Sequence, residues 1–168
     1  LNRQPLRIRA VNASTDVNIY GGTLAISDDS SNSTTIGDIL IESGSVNIGD
    51  SVTQTTLTQS GGTENTQSSI TTVTLKGGTL NQYDSTSAST ITTLTVSNSG
   101  SLNHYASGTI TTLNLNGGSV DLTKTQKSKT VTTITASPGA SLITDTGTVT
   151  ITNDIALASS KKITIGFS

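Results

Sequence analysis

The chain has no cysteine, so it forms no disulfide and offers no thiol for catalysis or for binding a metal. Aromatic residues make up only 2% and hydrophobic residues 31% of the 168 residues, whereas a compact globule of this length normally has more of both. Charged residues are also few, at 12% with a formal net charge of −2, which argues against nucleic-acid binding and against a disordered tail. No apolar run is long enough to cross a membrane. This composition favours a fold with a thin aliphatic core.

What the sequence does contain is an internal repeat. The segment Ile70 to Leu75 is followed by a Gly-Gly pair and returns with small changes at Ile91, Ile110 and Val131. Each return ends in a glycine, which closes a Gly-Gly pair in four of the seven. These coil-marking glycines are spaced by 22, 18, 16, 22, 18 and 21 residues and are Gly22, Gly44, Gly62, Gly78, Gly100, Gly118 and Gly139. A repeat of about 20 residues is typical of a solenoid, in which each unit buries its apolar face against its neighbours.

The apolar residues within each repeat recur with a period of two, as in Val73 and Leu75, which indicates half-buried strands. The step of three from Ile70 to Val73 and the Gly-Gly pair break this alternation and predict corners. The sequence therefore predicts an all-β, single-chain β-solenoid of about seven coils. Polar insertions at 27–35, 84–90 and 123–130 are interpreted as loops at one corner, and the last holds Lys124, Lys127 and Lys129 as solvated charges.

The coil around Leu57 departs from the pattern, because Gln59, Glu64 and Thr66 stand where neighbouring coils have apolar residues. An inward glutamate needs a hydrogen-bonding partner. The repeats begin at about Val17, so residues 1–16 are predicted to form an N-terminal arm and residues 17–168 the solenoid domain. A short alternating segment near 163–168 is predicted to be a strand that caps the last coil, since an open solenoid end is an exposed sheet edge.

Catalytic chemistry is hard to find in this sequence, and we predict no catalytic residue, no metal site and no cofactor. His104 is the single histidine and aligns with Gln82 and Leu122 of adjacent coils, so it is interpreted as a strand residue near a corner. Asp28-Asp29 lacks the spacing of a calcium loop. Tyr83 and Tyr105 align in consecutive coils and are predicted to stack for stability, with carbohydrate binding as the alternative.

An outward Thr-x-Thr pattern flanks the central inward residue of five coils. The pairs are Thr56 and Thr58, Thr72 and Thr74, Thr93 and Thr95, Thr112 and Asn114, and Thr133 and Thr135. Stacked coils lie about 4.8 Å apart and alternate residues about 6.8 Å apart, so the pattern predicts a flat lattice of hydroxyl groups. Such a lattice resembles the ice-binding face of β-solenoid antifreeze proteins. The first coils lose the pattern, and threonine is also a good exposed strand residue.

A fuller resemblance is carried by repeats of the form found from Ile110 to Leu122, by Lys127 to Thr132 and by Gly147 to Asn153. These segments resemble the β-helical decoration, or cement, proteins on the heads of tailed bacteriophages. The resemblance implies a three-faced, left-handed β-helix and a non-enzymatic virion structural protein on the outer capsid surface. It also implies the major capsid protein as partner, a homotrimer at local three-folds, and no contact with nucleic acid or membrane.

All three arginines, Arg3, Arg7 and Arg9, lie in the predicted arm before the repeats. They are candidate capsid-docking residues, because arginine makes bidentate contacts with carboxylates; a solvated strap is the alternative. Another reading of the whole chain is a receptor- or glycan-binding β-helix from a tail fibre or a bacterial surface adhesin. Binding to assembled capsid without binding sugar would favour the decoration role, and binding to a host glycan the fibre or adhesin.

Overall fold

The computed structural model describes residues 6–8, 16–26, 34–50, 52–84, 87–144, 148–157 and 164–167. Over these residues the chain forms strands and turns and contains no helix, which confirms the predicted all-β class. The strands are β1 (Leu6–Ile8), β2 (Val17–Ile19), β3 (Thr23–Ile26), β4 (Thr34–Ile41), β5 (Ser45–Ile48), β6 (Val52–Gln59), β7 (Thr63–Thr66), β8 (Ile70–Leu75), β9 (Thr79–Gln82), β10 (Ile91–His104), β11 (Gly108–Asp121), β12 (Lys129–Ala136), β13 (Ser141–Thr144), β14 (Val149–Ile151), β15 (Ala156–Leu157) and β16 (Thr164–Phe167). They form one sheet whose described pairings are all parallel.

Each strand pairs with the strand one coil further along the chain, which is the pairing of a β-solenoid. Following the register before the glycine corners, equivalent residues are Val17, Ile39, Leu57, Val73, Leu94, Leu113 and Ile134. They lie in the seven predicted coils, and about six turns join the first to the last. A second stack follows the glycine corners through Leu6, Leu24, Val46, Glu64, Leu80, Leu102, Val120, Leu142 and Ile165. The prediction of a β-solenoid is therefore confirmed.

The core is a narrow aliphatic column that runs along the axis of the stack. In β8, Ile70, Val73 and Leu75 are buried while Thr72 and Thr74 are partly exposed, as the alternation predicted. The alternation slips by one residue at Thr71, which is exposed, so the predicted corner lies between Ile70 and Val73. Burial of each Val, Leu or Ile side chain stabilises the fold by about 1.5–3 kcal/mol. Part of that burial is against the side chains of neighbouring coils.

The Gly-Gly corners also have the predicted character. Six of the seven coil-marking glycines have a positive φ, between 68° at Gly118 and 93° at Gly44, a conformation that side chains with a Cβ rarely adopt. Gly100 is the exception, and in its corner Asn98 has the positive φ, at 52°. Glycine is still required at position 100, because a Cβ there would lie 2.6 Å from the carbonyl oxygen of Leu75.

The described parts of the polar insertions lie largely where they were predicted, with corrections at their ends. Residues 27–33 lie outside the described residues, whereas 87–90 and 123–128 are without strand structure between β9 and β10 and between β11 and β12. Thr34 and Thr35, predicted to end the first loop, are instead the first residues of β4. The prediction that Lys129 is a solvated loop residue is wrong. Lys129 begins β12 and is only 2% exposed, and its Nζ donates to the carbonyl oxygens of Thr125 at 2.9 Å and of Lys127 at 3.0 Å.

Two strands lie in segments that the sequence assigned to an arm and to a cap. In the predicted arm, β1 pairs in parallel with β3, and Arg7 is the register partner of Ala25. Near the predicted cap, β16 pairs with β13, with Ile165 opposite Leu142. Both strands therefore extend the stack that follows the glycine corners.

Candidate binding surfaces and buried polar groups

The Thr-x-Thr pattern forms two ranks that run along the axis on one face. Register aligns Thr56, Thr72, Thr93, Thr112 and Thr133 in one rank and Thr58, Thr74, Thr95, Asn114 and Thr135 in the other. All ten side chains are partly exposed. A third row of corner threonines lies beside them at Thr55, Thr71, Thr92, Thr111 and Thr132. Asp38 and Leu40 precede the two ranks in register, so the lattice begins at β6.

A ladder of asparagines lies on the face formed by the strands that follow the glycine corners. Asn103 Nδ2 donates to Asn81 Oδ1 at 2.8 Å, Asn81 Nδ2 to Asn65 Oδ1 at 2.9 Å, and Asn65 Nδ2 to Asn47 Oδ1 at 3.0 Å. All three hydrogen bonds point toward the earlier coils, so they polarise one another in the same direction. The ladder ties four successive coils together from outside the core.

Two tyrosines stack at the corner next to this ladder. The rings of Tyr83 and Tyr105 have centroids 4.6 Å apart and planes inclined by 15°, which confirms the predicted stacking. The register of Gln82 with His104 and with Thr66 places Gln67 and then Gly49 at the equivalent positions of the two preceding coils. The aromatic stack therefore ends at Tyr83 toward the earlier coils. The next coil has the smaller side chain of Gln67 at this position, and the coil before that has Gly49, without a side chain.

A groove of about 370 Å³ opens where this row of side chains becomes small. Its described lining includes two asparagines of the ladder, residues of the corner row and apolar residues of the early coils: Ala25, Ile26, Asn47, Ile48, Gly49, Asn65, Thr66, Gln67 and Tyr83. None of these side chains carries a charge. The groove lies on the outside of the solenoid, across the early coils.

Polar side chains replace part of the aliphatic column in the coil around Leu57. Glu64 is fully buried in register between Val46 and Leu80, and its Oε1 accepts a hydrogen bond of 2.9 Å from Gln54 Nε2. Gln54 Nε2 also donates to Thr66 Oγ1 at 2.9 Å. The inward glutamate therefore has the expected partner at Oε1, whereas Oε2 has none among the described residues. Burial raises the pKa of the Glu64 carboxyl from 4.5 to about 7, although the hydrogen bond from Gln54 opposes the rise.

His104 is buried at the end of β10, in register with Gln82, as a strand residue near a corner. Neither ring nitrogen has a hydrogen-bond partner among the described residues. Burial lowers the pKa of the imidazole from 6.5 to about 4, and the positive charge of Lys129 lowers it further while Asp84 opposes the change. His104 is therefore neutral above about pH 5.

Surface charges near this corner are paired. Lys127 Nζ lies 2.6 Å from Asp84 Oδ2, and Ser107 donates to Asp84 Oδ1 through its backbone nitrogen at 2.7 Å. Partial burial alone would raise the pKa of Asp84, but hydrogen bonds from Lys127 and Ser107 hold it below its usual value. Lys124 pairs in the same way with Asp121, at 2.9 Å. These lysines tie the insertion loop to the stack.

The remaining candidate residues divide between described and undescribed parts of the chain. Arg7 lies in β1, while Arg3 and Arg9 and the pair Asp28-Asp29 lie outside the described residues. Within the described ranges, no group of three or more His, Asp or Glu side chains is arranged to hold a metal ion. The same ranges include no apolar helix of membrane-spanning length.

Comparison with known proteins gives no relative. No protein-family model, no curated protein and no solved structure matches the chain. Its function must therefore be inferred from its own residues.

Three features of these surfaces were missed in the sequence. The asparagine ladder had a usable signal, because Asn47, Asn65, Asn81 and Asn103 each stand three residues after a coil-marking glycine. Lys129 aligns with Gly108 and Val149, and nothing in its polar surroundings indicated burial. The groove had no signal of its own, since it depends on three adjacent coils placing glycine, glutamine and tyrosine in one row.

Proposed function

We propose that this chain is a non-enzymatic virion structural protein, a decoration or cement protein that binds the outer surface of a capsid. Its partner in this proposal is the major capsid protein, and its assembly is a homotrimer at the local three-folds of the shell. It stabilises the shell by binding energy alone, since a ligand that binds only the assembled state shifts the equilibrium toward assembly.

The observation that carries the proposal is the continuous parallel register from Val17 to Ile134. It is reinforced outside the core by the asparagine ladder and by the Tyr83–Tyr105 stack. Such a stack resists bending and shear, as a clamp across capsid subunits requires. The resemblance of Ile110 to Leu122 to β-helical phage-head proteins supports the proposed location on the capsid.

Cryo-electron microscopy of virions from the source of the sequence, with mass spectrometry of their components, tests the proposal. We expect solenoid density on the outer shell at the three-fold positions. Density at two-fold positions would keep the decoration role but overturn the trimer. Density confined to the tail would replace the decoration role with a fibre role. Absence of the protein from purified virions would remove both.

Arg3, Arg7 and Arg9 are the proposed docking residues. Replacing all three with alanine is expected to weaken binding to isolated capsids by at least about tenfold, because charge-assisted hydrogen bonds to shell carboxylates are lost. Co-sedimentation with capsids measures the affinity, and circular dichroism checks that the fold is retained.

The matched control replaces Lys76, Lys124 and Lys127 with alanine, which removes the same number of positive charges elsewhere on the surface. We expect this control to bind nearly as well as the parent. Equal weakening in both variants would indicate a general charge effect, and unchanged binding of the arginine variant would remove the docking assignment.

A second candidate function, ice binding, is favoured by the register of the threonine ranks. Five coils place hydroxyl-bearing residues in two aligned ranks, and Asn114 is the one departure. With about 4.8 Å between coils and, for parallel strands, about 6.6 Å between ranks, the array is a regular two-dimensional lattice. A lattice of this kind orders water over its surface.

Thr93 lies at the centre of the lattice, so Thr93→Tyr is expected to abolish thermal hysteresis by lifting the surface off the ice. Thr79→Tyr places the same bulk on the sheet that follows the glycine corners and should leave the activity intact. Nanolitre osmometry measures the effect. Parent protein without thermal hysteresis would end this candidate.

A further inference from the structure

The groove beside Tyr83 has the size of a small-molecule binding site. Its volume of about 370 Å³ lies within the range of about 300–1,000 Å³ that is usual for small-molecule sites. Tyr105 covers Tyr83 from the later coil, and the other described lining residues belong to earlier coils. The groove therefore lies on the side of Tyr83 that faces away from Tyr105, where Gln67 of the preceding coil also lines it.

The asparagine ladder ends in this groove with an available donor. Asn47 Oδ1 accepts from Asn65, but Asn47 Nδ2 donates to no described residue. Because the three ladder hydrogen bonds point the same way, they polarise the terminal amide and strengthen Asn47 as a donor. The side-chain amide of Gln67 is exposed and adds both a donor and an acceptor.

The missing side chain at Gly49 creates the space between these groups. Gly49 occupies the position of Gln67 and Tyr83 in their coils. Side-chain size in this row therefore decreases from the ring of Tyr83 to the amide of Gln67 to the bare backbone of Gly49. A ligand placed over Gly49 would contact the amides of Asn47 and Gln67 and extend past Gln67 to the ring of Tyr83, which also lines the groove. No described lining residue is charged, so the described lining offers no ion-pair partner to an anion or a cation.

We infer that this groove is a binding site for a neutral carbohydrate. A pyranose presents an apolar C–H face that packs on an aromatic ring, and its edge hydroxyls both donate and accept hydrogen bonds. Asn47 and Gln67 supply the complementary donors and acceptor, and Tyr83 supplies the ring. The inference does not rest on the capsid proposal, but it bears on it: sugar binding by a chain that does not bind capsids would favour the fibre or adhesin, whereas binding to both would make this groove a second site on a decoration protein.

A panel of neutral oligosaccharides containing glucose, galactose, mannose or N-acetylglucosamine tests the inference. Amide chemical shifts of the full chain are followed by NMR during titration. We expect saturable shifts for at least one sugar, centred on Asn47, Gly49 and Gln67. Absence of binding across the panel would overturn the inference, and so would shifts that map to another surface. Shifts at the groove that depend on protein concentration without sugar would assign it to self-association instead.

The ladder offers a matched pair of variants. Asn47→Ala and Asn103→Ala each remove one terminal hydrogen bond of the ladder, but only Asn47 lines the groove. We expect Asn47→Ala to weaken sugar binding about five- to tenfold, as for the loss of a neutral hydrogen bond, and Asn103→Ala to leave it unchanged. Equal affinities of the two variants would overturn the role of the ladder end. Capsid binding should be the same in both, which separates this test from that of the capsid proposal.

Discussion

Replacing Gly62 with alanine is expected to lower the free energy of unfolding by roughly 4 kcal/mol, a large loss for a single added methyl group. Gly62 has a φ of 70°, in the left-handed region, and a Cβ there would lie 2.5 Å from the carbonyl oxygen of Gly44 in the preceding coil. Neither atom is at the end of a flexible side chain. The two coils must separate locally, and their backbone hydrogen bonds weaken.

Gly22 provides the control, because it has a similar φ of 79° but no described atom within 4 Å of its Cβ position. Gly22→Ala should therefore cost only the conformational strain, about 1–2 kcal/mol. Urea denaturation of the two variants separates strain from steric overlap. Equal losses in the two would show that the coils are not held at the spacing that the structure gives.

The second large effect concerns pH. Glu64 has a pKa of about 7 in the folded chain against 4.5 for an ordinary glutamate, so between these values the folded state holds a proton that the unfolded state releases. The contribution of Glu64 to the free energy of unfolding is therefore greatest below pH 4.5. It falls by roughly 3 kcal/mol as the pH rises to 7. His104 has a pKa of about 4 against 6.5, so its effect has the opposite sign. Stability rises by a similar amount between pH 4 and 6.5, and the two slopes nearly cancel between pH 4.5 and 6.5.

Two substitutions, each removing one of these two groups, should make the pH dependence of stability caused by the other group measurable. Glu64→Gln keeps an acceptor for Gln54, so its free energy of unfolding should rise with pH between 4.5 and 6.5, and at pH 8 it should exceed the parent by roughly 3 kcal/mol. His104→Gln copies Gln82 of the preceding coil and should become less stable from pH 4.5 to 7. Denaturation at several pH values measures both. Flat profiles in both variants would contradict the assigned burial of these groups.

The sequence predicted the fold in detail because its signals are local and repeated. The period of two, the step of three at Thr71–Thr72 and the coil-marking glycines each correspond to a strand or a corner. Lys129 was assigned wrongly because polar loop composition outweighed its position next to the alternating residues of β12. Its burial depends on backbone carbonyl groups of Thr125 and Lys127, which no residue pattern shows in advance.

The candidate sites were less predictable because they depend on neighbouring coils. The Tyr83–Tyr105 stack and the threonine ranks follow directly from aligning the repeats, and both were predicted. The groove follows from a change of residue size along one row, from Gly49 to Gln67 to Tyr83, which matters only when those coils are stacked. Arg3 and Arg9 lie outside the described residues, so the proposed docking residues stay a prediction.

The constant register of the stack has a consequence for the dimensions of the molecule. Six turns at about 4.8 Å each place Ile134 about 29 Å along the axis from Val17. Differences in coil length are taken up at corners such as residues 123–128 and leave this rise unchanged. The length of the molecule along the axis is therefore set by the number of coils. Duplication or deletion of one repeat would change that length by about 4.8 Å and leave the cross-section unchanged.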